Sequence, residues 1–136
     1  MTGDRVIERR CSVHAGRCIA VVDDDYRVLE ALEDLLQSSG YRTLLSSSAE
    51  QFLRSPERGG VDFLISDIGL PGMSGIELLR TMQRDAQCPP AILITGRSEA
   101  HLEQDAQDLG VLRLFTKPFD TCELLATLDR SFLANR

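Results

Sequence analysis

Three consecutive aspartates, Asp23 to Asp25, directly follow the apolar run Cys18 to Val22. Two carboxylates held about 5 Å apart repel each other by roughly 3 kcal/mol at an effective dielectric constant of about 20. Repulsion of that size raises the pKa of one carboxyl group by about two units unless a cation neutralises the pair. The run therefore predicts a nearby positive charge and makes Asp23 and Asp24 candidate ligands of a metal ion.

Three further polar residues come at the ends of apolar runs later in the chain. Asp67 ends the segment "VDFLISD", Thr95 follows "AILI", and Lys117 follows "LRLFT". Oxygen ligands without histidine or cysteine suit a hard cation such as Mg²⁺, which keeps several waters and takes only one or two carboxylates. A carboxylate is also a competent nucleophile for phosphorus, and a hydroxyl, a lysine and Mg²⁺ would stabilise the phosphoryl dianion that results.

For these side chains to meet, the chain must bring the ends of its apolar runs together. The runs have the length of strands, and the segments between them have the apolar spacing of helices. The predicted strands are Cys18 to Val22, Tyr41 to Leu45, Val61 to Ile65, Ala91 to Ile94 and Val111 to Phe115. Alternating strands and helices indicate a parallel sheet covered on both faces, so we predict an α/β doubly wound single domain of five βα units.

The composition of the strands also predicts their order in the sheet. The first, third and fourth strands are almost wholly apolar, whereas the second and fifth contain Arg42, Thr43 and Arg113, which edge strands tolerate. This favours the flavodoxin-like order 2-1-3-4-5, whose ligand crevice lies at the carboxyl ends of strands one and three. The acidic residues fall just beyond the strands that border this crevice, and the hydroxyl and the cation reach the same edge.

Each of these residues, taken alone, has a purely structural explanation. Asp25 directly precedes the first helical stripe, and we expect it to cap that helix. Thr95 alone would be a turn residue, and Lys117 alone would be a solvated surface charge. The coincidence of reactive polar groups at four of the five strand ends argues against the structural explanation for the whole set.

Length and composition restrict the function further. The 136 residues, 43% of them hydrophobic, suffice for one domain, and the net charge of −6 argues against a nucleic-acid surface. No apolar run reaches the roughly 18 residues of a membrane-spanning helix. Four cysteines without C-x-x-C spacing point to free thiols in a reducing cytoplasm. Residues 1–16 show little periodicity, so we expect a flexible extension there and the domain over residues 17–136.

The motifs "VVDDD", "LISDIGLPGMSGIELL", "ILITG" and "FTKPF" resemble those of receiver domains of two-component response regulators. The resemblance covers residues 17–134, and the joint order and spacing of the motifs make it specific. It implies that Asp67 is the phosphoacceptor and that Asp24 and Asp67 bind Mg²⁺ directly. The backbone carbonyl of Gly69 would be a further ligand, and Asp23 would act largely through water.

The same resemblance implies roles for the remaining site residues and for the domain as a whole. Thr95 would bond a phosphoryl oxygen, Lys117 would pair with the acceptor carboxylate or the phosphoryl group, and the Lys117–Pro118 bond would be cis. The domain would accept a phosphoryl group from a sensor histidine kinase or a phosphotransfer protein and switch conformation. It would catalyse only its own phosphorylation and dephosphorylation, so it would not otherwise be an enzyme.

Two positions depart from patterns that are common in this family. Leu114 stands where many relatives have an aromatic residue that turns inward on activation. Arg113 stands where subfamilies with winged-helix outputs have an acid in an inter-subunit network, so a homodimer formed on phosphorylation is not expected to use that network. The segments "LITG" and "SAEQFL" resemble receivers of the nitrogen-fixation regulator type, which have helix-turn-helix outputs.

Three other functions are compatible with parts of the sequence. A flavodoxin-like redox protein would need a phosphate-binding loop rich in Ser, Thr and Gly after strand one, where this chain has acids. A phosphohydrolase with an aspartate nucleophile usually has a second acid two residues later, where this chain has Gly69. A receiver that serves only as a binding module would lack one or more of Asp24, Asp67 and Lys117, and all three are present.

Overall fold

Five strands alternate with five helices along the part of the chain that the structure describes. The computed structural model describes residues 16–86, 88–97 and 99–134. The strands are β1 (Cys18–Val22), β2 (Arg42–Ser46), β3 (Phe63–Asp67), β4 (Ala91–Thr95) and β5 (Arg113–Thr116). The helices are α1 (Tyr26–Ser38), α2 (Ala49–Arg54), α3 (Gly75–Arg84), α4 (Ala100–Leu109) and α5 (Thr121–Ala134). A short 3-10 turn, Arg58–Gly60, lies between α2 and β3.

All five strands are parallel and form one sheet in the order β2-β1-β3-β4-β5. This confirms the predicted doubly wound order. Every residue of β1, β3 and β4 is buried, whereas Arg42 of β2 and Arg113 of β5 are exposed at the two edges. The carboxyl ends of β1 and β3 are neighbours, and the connections after them lead to opposite faces of the sheet.

The sheet separates two hydrophobic cores, because successive residues of a strand point to opposite faces. Ile19 and Val21 of β1 belong to the core under α1 and α5, while Ala20 and Val22 belong to the core under α2, α3 and α4. Helix α4 is the most weakly anchored of the longer helices, since Ala106 is its one buried residue among those described. The two cores hold the sheet on both faces, so the carboxyl ends of the strands lie at an edge that the helices do not cover.

The helix ends bear out the prediction made for Asp25. Its side chain accepts a hydrogen bond from the backbone N–H of Arg27 at 3.0 Å, so it caps α1. Helix α3 begins with a capping box, in which Ser74 and Glu77 each accept a bond from the other's backbone N–H. No such side-chain bond is found at Glu99, the residue before α4.

Three predicted strands begin later in the structure than in the sequence analysis. The backbone N–H groups of Tyr41, Val61 and Val111 bond to Leu36, Arg58 and Ala106, respectively, and so close the preceding helix or turn. An N–H group used in this way cannot pair in the sheet. Strand β1 ends at Val22 as predicted, whereas β2 to β5 end later: Asp67 and Thr95 are the last residues of β3 and β4, not residues beyond them.

Several expectations concern segments away from the site. The predicted extension over residues 1–16 lies, apart from Gly16, outside the described residues, as does Cys11. Cys18, Cys88 and Cys122 are free thiols; Cys18 is buried and Cys122 is exposed. No helix within the described part of the chain combines the length and the hydrophobicity needed to cross a membrane.

Candidate functional site

Three carboxylates meet at the carboxyl edge of the sheet. Asp23 and Asp24 follow β1 and Asp67 ends β3, and each offers one oxygen within 4.8 Å of the others. The backbone N–H of Asp23 donates to the carbonyl of Ser46 at 3.1 Å, which fixes the start of this segment against β2. Asp23 and Asp67 are buried, whereas Asp24 is exposed. The donor set is therefore made of oxygen alone and carries three formal negative charges.

Lys117 supplies the positive charge that the aspartate run predicted. Its Nζ lies 3.2 Å from Oδ2 of Asp67 and 3.3 Å from Oδ2 of Asp23. Its backbone N–H donates to the carbonyl of Thr95 at 2.8 Å, and the Lys117–Pro118 bond is cis. Burial alone would lower the pKa of Lys117, but attraction to the two carboxylates outweighs it and raises that pKa.

One ammonium group does not compensate three carboxylates. Burial raises the pKa of Asp23, and the nearby charge of Asp67 adds to the effect, while the N–H of Asp25 and Lys117 oppose it. Among the side chains that the structure describes, Oδ2 of Asp23 is the buried polar atom without a hydrogen-bond partner, although Lys117 lies within ion-pair distance. A cluster of this composition fits a hard divalent cation, which would neutralise the excess charge.

The hydroxyl of Thr95 is engaged by its own loop. It donates to the carbonyl of Arg97 at 2.8 Å and accepts from the backbone N–H of Arg97 at 3.1 Å. The guanidinium of Arg97 in turn pairs with Glu99 at 3.2 Å. The position of Thr95 at this edge follows from the sequence, whereas the direction of its hydroxyl, toward the loop, does not.

The site opens to solvent through a cavity of about 380 Å³ beside Asp67 and Lys117. The cavity is lined by residues at and just after the ends of β3, β4 and β5, by the loop before α4 and by the first turn of α4. They are Asp67, Ile68, Gly69, Thr95, Gly96, Arg97, Glu99, Leu102 and Lys117. Asp67 is thus reachable by a reactant that approaches from this side.

The loop between β3 and α3 holds Gly69 next to Asp67. The backbone N–H of Gly69 donates to Oδ1 of Asp67 at 3.2 Å. At the other end of the loop Gly75 packs so closely that a Cβ atom there would lie 2.3 Å from the carbonyl oxygen of Asp67. Gly75 therefore allows α3 to start directly against the strand that carries Asp67.

Replacing Gly75 with alanine is expected to destabilise the domain by about 1–3 kcal/mol, the usual cost of inserting a methyl group into packed backbone. Alanine has the higher helix propensity by roughly 1 kcal/mol, so a pure propensity effect would have the opposite sign. Urea unfolding measures the change. Gly59→Ala is the control, since a Cβ atom at Gly59 meets nothing within 4 Å. Equal midpoints for wild type and Gly75→Ala would show that α3 shifts to accept the methyl group.

The doubly wound sheet and the acidic cluster beside a lysine define a class of signalling domain. The family model of the response regulator receiver domain matches residues 19–129. The chain belongs to this family and is a receiver domain of the two-component response regulators.

Individual relatives support the same assignment. The response regulator protein TodT of Pseudomonas putida is 36% identical over 127 residues, which are 93% of this chain and 54% of TodT. The transcriptional regulatory protein FixJ of Bradyrhizobium diazoefficiens is 32% identical over 111 residues, 82% of this chain and 54% of FixJ. The expected likeness to regulators of the FixJ type is confirmed. The chain spans about half the length of these relatives.

A solved structure shows the same fold. The BeF3-activated receiver domain of DrrB, a Thermotoga maritima protein, superimposes with a TM-score of 0.78 at 32% identity. The match covers 88% of this chain and 98% of the DrrB domain. The predicted fold class is confirmed by this likeness as well as by the strand order.

Proposed function

We propose that Asp67 accepts a phosphoryl group from a phosphohistidine of a sensor kinase or a phosphotransfer protein. The observation that carries the proposal is the position of its carboxylate. It is buried at the end of a central strand, contacts the ammonium of Lys117 at 3.2 Å, and borders an open cavity. Among the three clustered acids, Asp67 alone combines these features.

The reaction is a transfer between two nucleophiles. A carboxylate oxygen of Asp67 forms a bond to phosphorus while the bond from phosphorus to the donor nitrogen breaks, and the bonding electrons leave with that nitrogen. The product carries an acyl phosphate, whose added charge needs compensation. Lys117 is held within reach by its own backbone bond to Thr95 and by both carboxylates, so it needs little reorganisation to pair with a phosphoryl oxygen.

Asp24, Asp67 and the carbonyl of Gly69 would hold Mg²⁺, with Asp23 acting largely through water. The metal would neutralise the phosphoryl oxygens as charge accumulates on them. The chain's own contribution is to keep the carboxylates together against their repulsion. Lys117 contributes to this by pairing with the two buried ones, and the Gly69 N–H by bonding Oδ1 of Asp67.

Thr95 would bond a phosphoryl oxygen only after a local change. Its hydroxyl has one proton to donate, and that proton is bonded to the Arg97 carbonyl. Transfer of this bond to the phosphoryl group would release the loop that leads into α4. Helix α4 has one buried residue and no side-chain cap at its start, so its displacement would cost little.

We therefore expect the largest phosphorylation-dependent change in amide hydrogen exchange between Thr95 and Leu114. Thr95→Ala should accept the phosphoryl group but show little of this change, because it cannot exchange one hydrogen-bond acceptor for the other. Hydrogen exchange of the wild type and of Thr95→Ala, each followed by mass spectrometry with and without the phosphoryl mimic beryllofluoride, measures the change in both proteins. Identical protection of the segment in the two states would mean that the switch acts through another surface.

The experiment that tests the proposed function is phosphorylation by a small donor such as acetyl phosphate. We expect Mg²⁺-dependent addition of one phosphoryl group per chain, detected by intact mass, and its removal by hydroxylamine, which cleaves acyl phosphates. A chain that gains no phosphoryl group would count against the proposal. Sustained phosphate release from a generic phosphoester would instead favour a hydrolase, which Gly69 at the second-acid position argues against.

We further infer that residues 17–136 form the functional unit and that it works in the cytoplasm. The acidic net charge of −6 supports a protein partner over nucleic acid.

Arg113 forms a 2.9 Å ion pair with Glu123 of the same chain. A homodimer formed on phosphorylation would therefore use contacts other than the acidic network of the winged-helix subfamilies.

A further inference from the structure

The loop of residues 68–74 carries the proposed metal ligand Gly69 and is held mainly by bonds to its immediate surroundings. Ile68 bonds to Ile94 of β4, Leu70 and Gly75 bond to the carbonyl of Ile68, and Ser74 bonds to Glu77 of α3. These bonds fix the two ends of the loop. The Gly72–Met73 peptide, between those ends, is held by a residue that the sequence motifs do not single out.

That residue is Glu50, in the first turn of α2. Its Oε2 accepts a hydrogen bond from the backbone N–H of Met73 at 2.9 Å. A Cβ atom at Gly72 would lie 2.6 Å from the same oxygen, so the carboxylate lies directly against the Gly72–Met73 peptide. Gly72 has φ +76, a conformation that glycine adopts without strain. The side chain of Glu50, which precedes Met73 by 23 positions, thus occupies the space that the missing Cβ of Gly72 leaves.

Glu50 is itself well positioned. Ser48 caps α2 by accepting from the N–H of Gln51, and Gln51 in turn accepts from the backbone N–H of Ser47 at 2.6 Å. Phe52, two residues after Glu50, is fully buried in the core that also contains Ile68 and Leu70. The bond from Met73 lowers the pKa of Glu50, so the group is ionised at neutral pH.

We propose that Glu50 is a positioning residue, which holds the loop of residues 68–74 so that Gly69 stays beside Asp67. This rests on the proposed function for its consequence, because a displaced Gly69 would weaken the metal site. Replacing a residue that holds a metal ligand in place commonly weakens metal binding by 10-fold or more. The competing explanation is that Glu50 only stabilises α2, as acidic residues in a first helical turn do.

Glu50→Ala and Glu50→Gln separate these explanations. Glutamine keeps an acceptor for the Met73 N–H but loses the charge that favours a helix N-terminus, whereas alanine loses both. Glu57→Ala is the matched control, because Glu57 is exposed and makes no side-chain cap at the neighbouring 3-10 turn. Affinity for Mg²⁺ alone is measured by calorimetry, and the exchange of the Met73 amide is measured on the metal-free protein.

We expect Glu50→Ala to weaken Mg²⁺ binding about 10-fold and to speed Met73 exchange, and Glu50→Gln to stay within about threefold of wild type in both. Glu57→Ala should match wild type. Unchanged Met73 exchange in Glu50→Ala, or equal losses in the glutamine and alanine variants, would overturn the positioning role. If the wild-type chain binds no Mg²⁺, the proposed metal site is wrong, and Met73 exchange in the metal-free protein still decides the role of Glu50.

Discussion

Asp67→Asn is expected to abolish phosphorylation by acetyl phosphate, so that no phosphoryl group is detected under conditions that label the wild type fully. The amide nitrogen and oxygen of asparagine are poor nucleophiles, and a phosphoryl group on them would not be an acyl phosphate. The fold should survive, since asparagine still offers an oxygen to the N–H of Gly69 and fills the same volume. Intact mass measured over time, together with circular dichroism, tests both statements.

The control for this experiment is an aspartate outside the cluster. Asp85 is exposed and its one described ion pair, with Arg58 at 3.7 Å, is a surface contact of small energetic value. Asp85→Asn should therefore be phosphorylated like the wild type. Labelling of Asp67→Asn at the wild-type rate would show that another group, such as Asp24, is the acceptor.

The strand order and the meeting of the acids could be predicted from the sequence because both follow from where apolar residues stand. Arg42 and Arg113 identify the edge strands, since a charged side chain is costly between two covered faces. Once the order is known, the residues after β1 and at the end of β3 must be neighbours. The cap at Asp25 could be predicted for the same kind of local reason.

The strand boundaries and the state of Thr95 could not be predicted because they depend on hydrogen bonds that leave no periodic signal. Val61 is apolar like a strand residue, yet its N–H closes the 3-10 turn. Thr95 has the composition expected for a phosphoryl contact, yet its hydroxyl bonds to Arg97. A Thr two residues before an exposed Arg is compatible with either arrangement.

Glu50 was missed for a different reason. Its partner is the backbone N–H of a residue far along the chain. Every residue except proline has such a group, so the sequence does not indicate which of them Glu50 binds. The available signal was indirect: Gly72 lies in the loop after Asp67 and Gly75 directly follows it, and a glycine often marks a close approach of the backbone to another group. That signal indicates a close approach but does not name the residue that makes it.

The second large effect expected concerns metal binding and stability. Mg²⁺ at about 100 times its dissociation constant should raise the free energy of unfolding by about 2.7 kcal/mol, because it binds the folded cluster and not the unfolded chain. For a domain of this size that corresponds to roughly 8–10 °C in the melting temperature. Sodium chloride at the same ionic strength is the control, since general screening acts equally in both salts.

Asp23→Asn and Asp24→Asn should both lose most of this Mg²⁺ response, yet differ in the metal-free state. Asp23 is 1% exposed, and its pKa is raised because burial, together with the charge of Asp67, outweighs the bond from the Asp25 N–H and the attraction of Lys117. Removing its charge relieves a net cost and leaves Lys117 paired with Asp67, so metal-free Asp23→Asn should melt several degrees above wild type. Asp24 is exposed, so water already screens its charge, and metal-free Asp24→Asn should melt close to wild type.

Calorimetric melting of the three proteins with and without Mg²⁺ measures these differences. A full Mg²⁺ response in either variant would contradict the metal site. A metal-free melting temperature of Asp23→Asn below that of wild type would show that the ion pair between Asp23 and Lys117 outweighs the burial of Asp23 and its repulsion by Asp67.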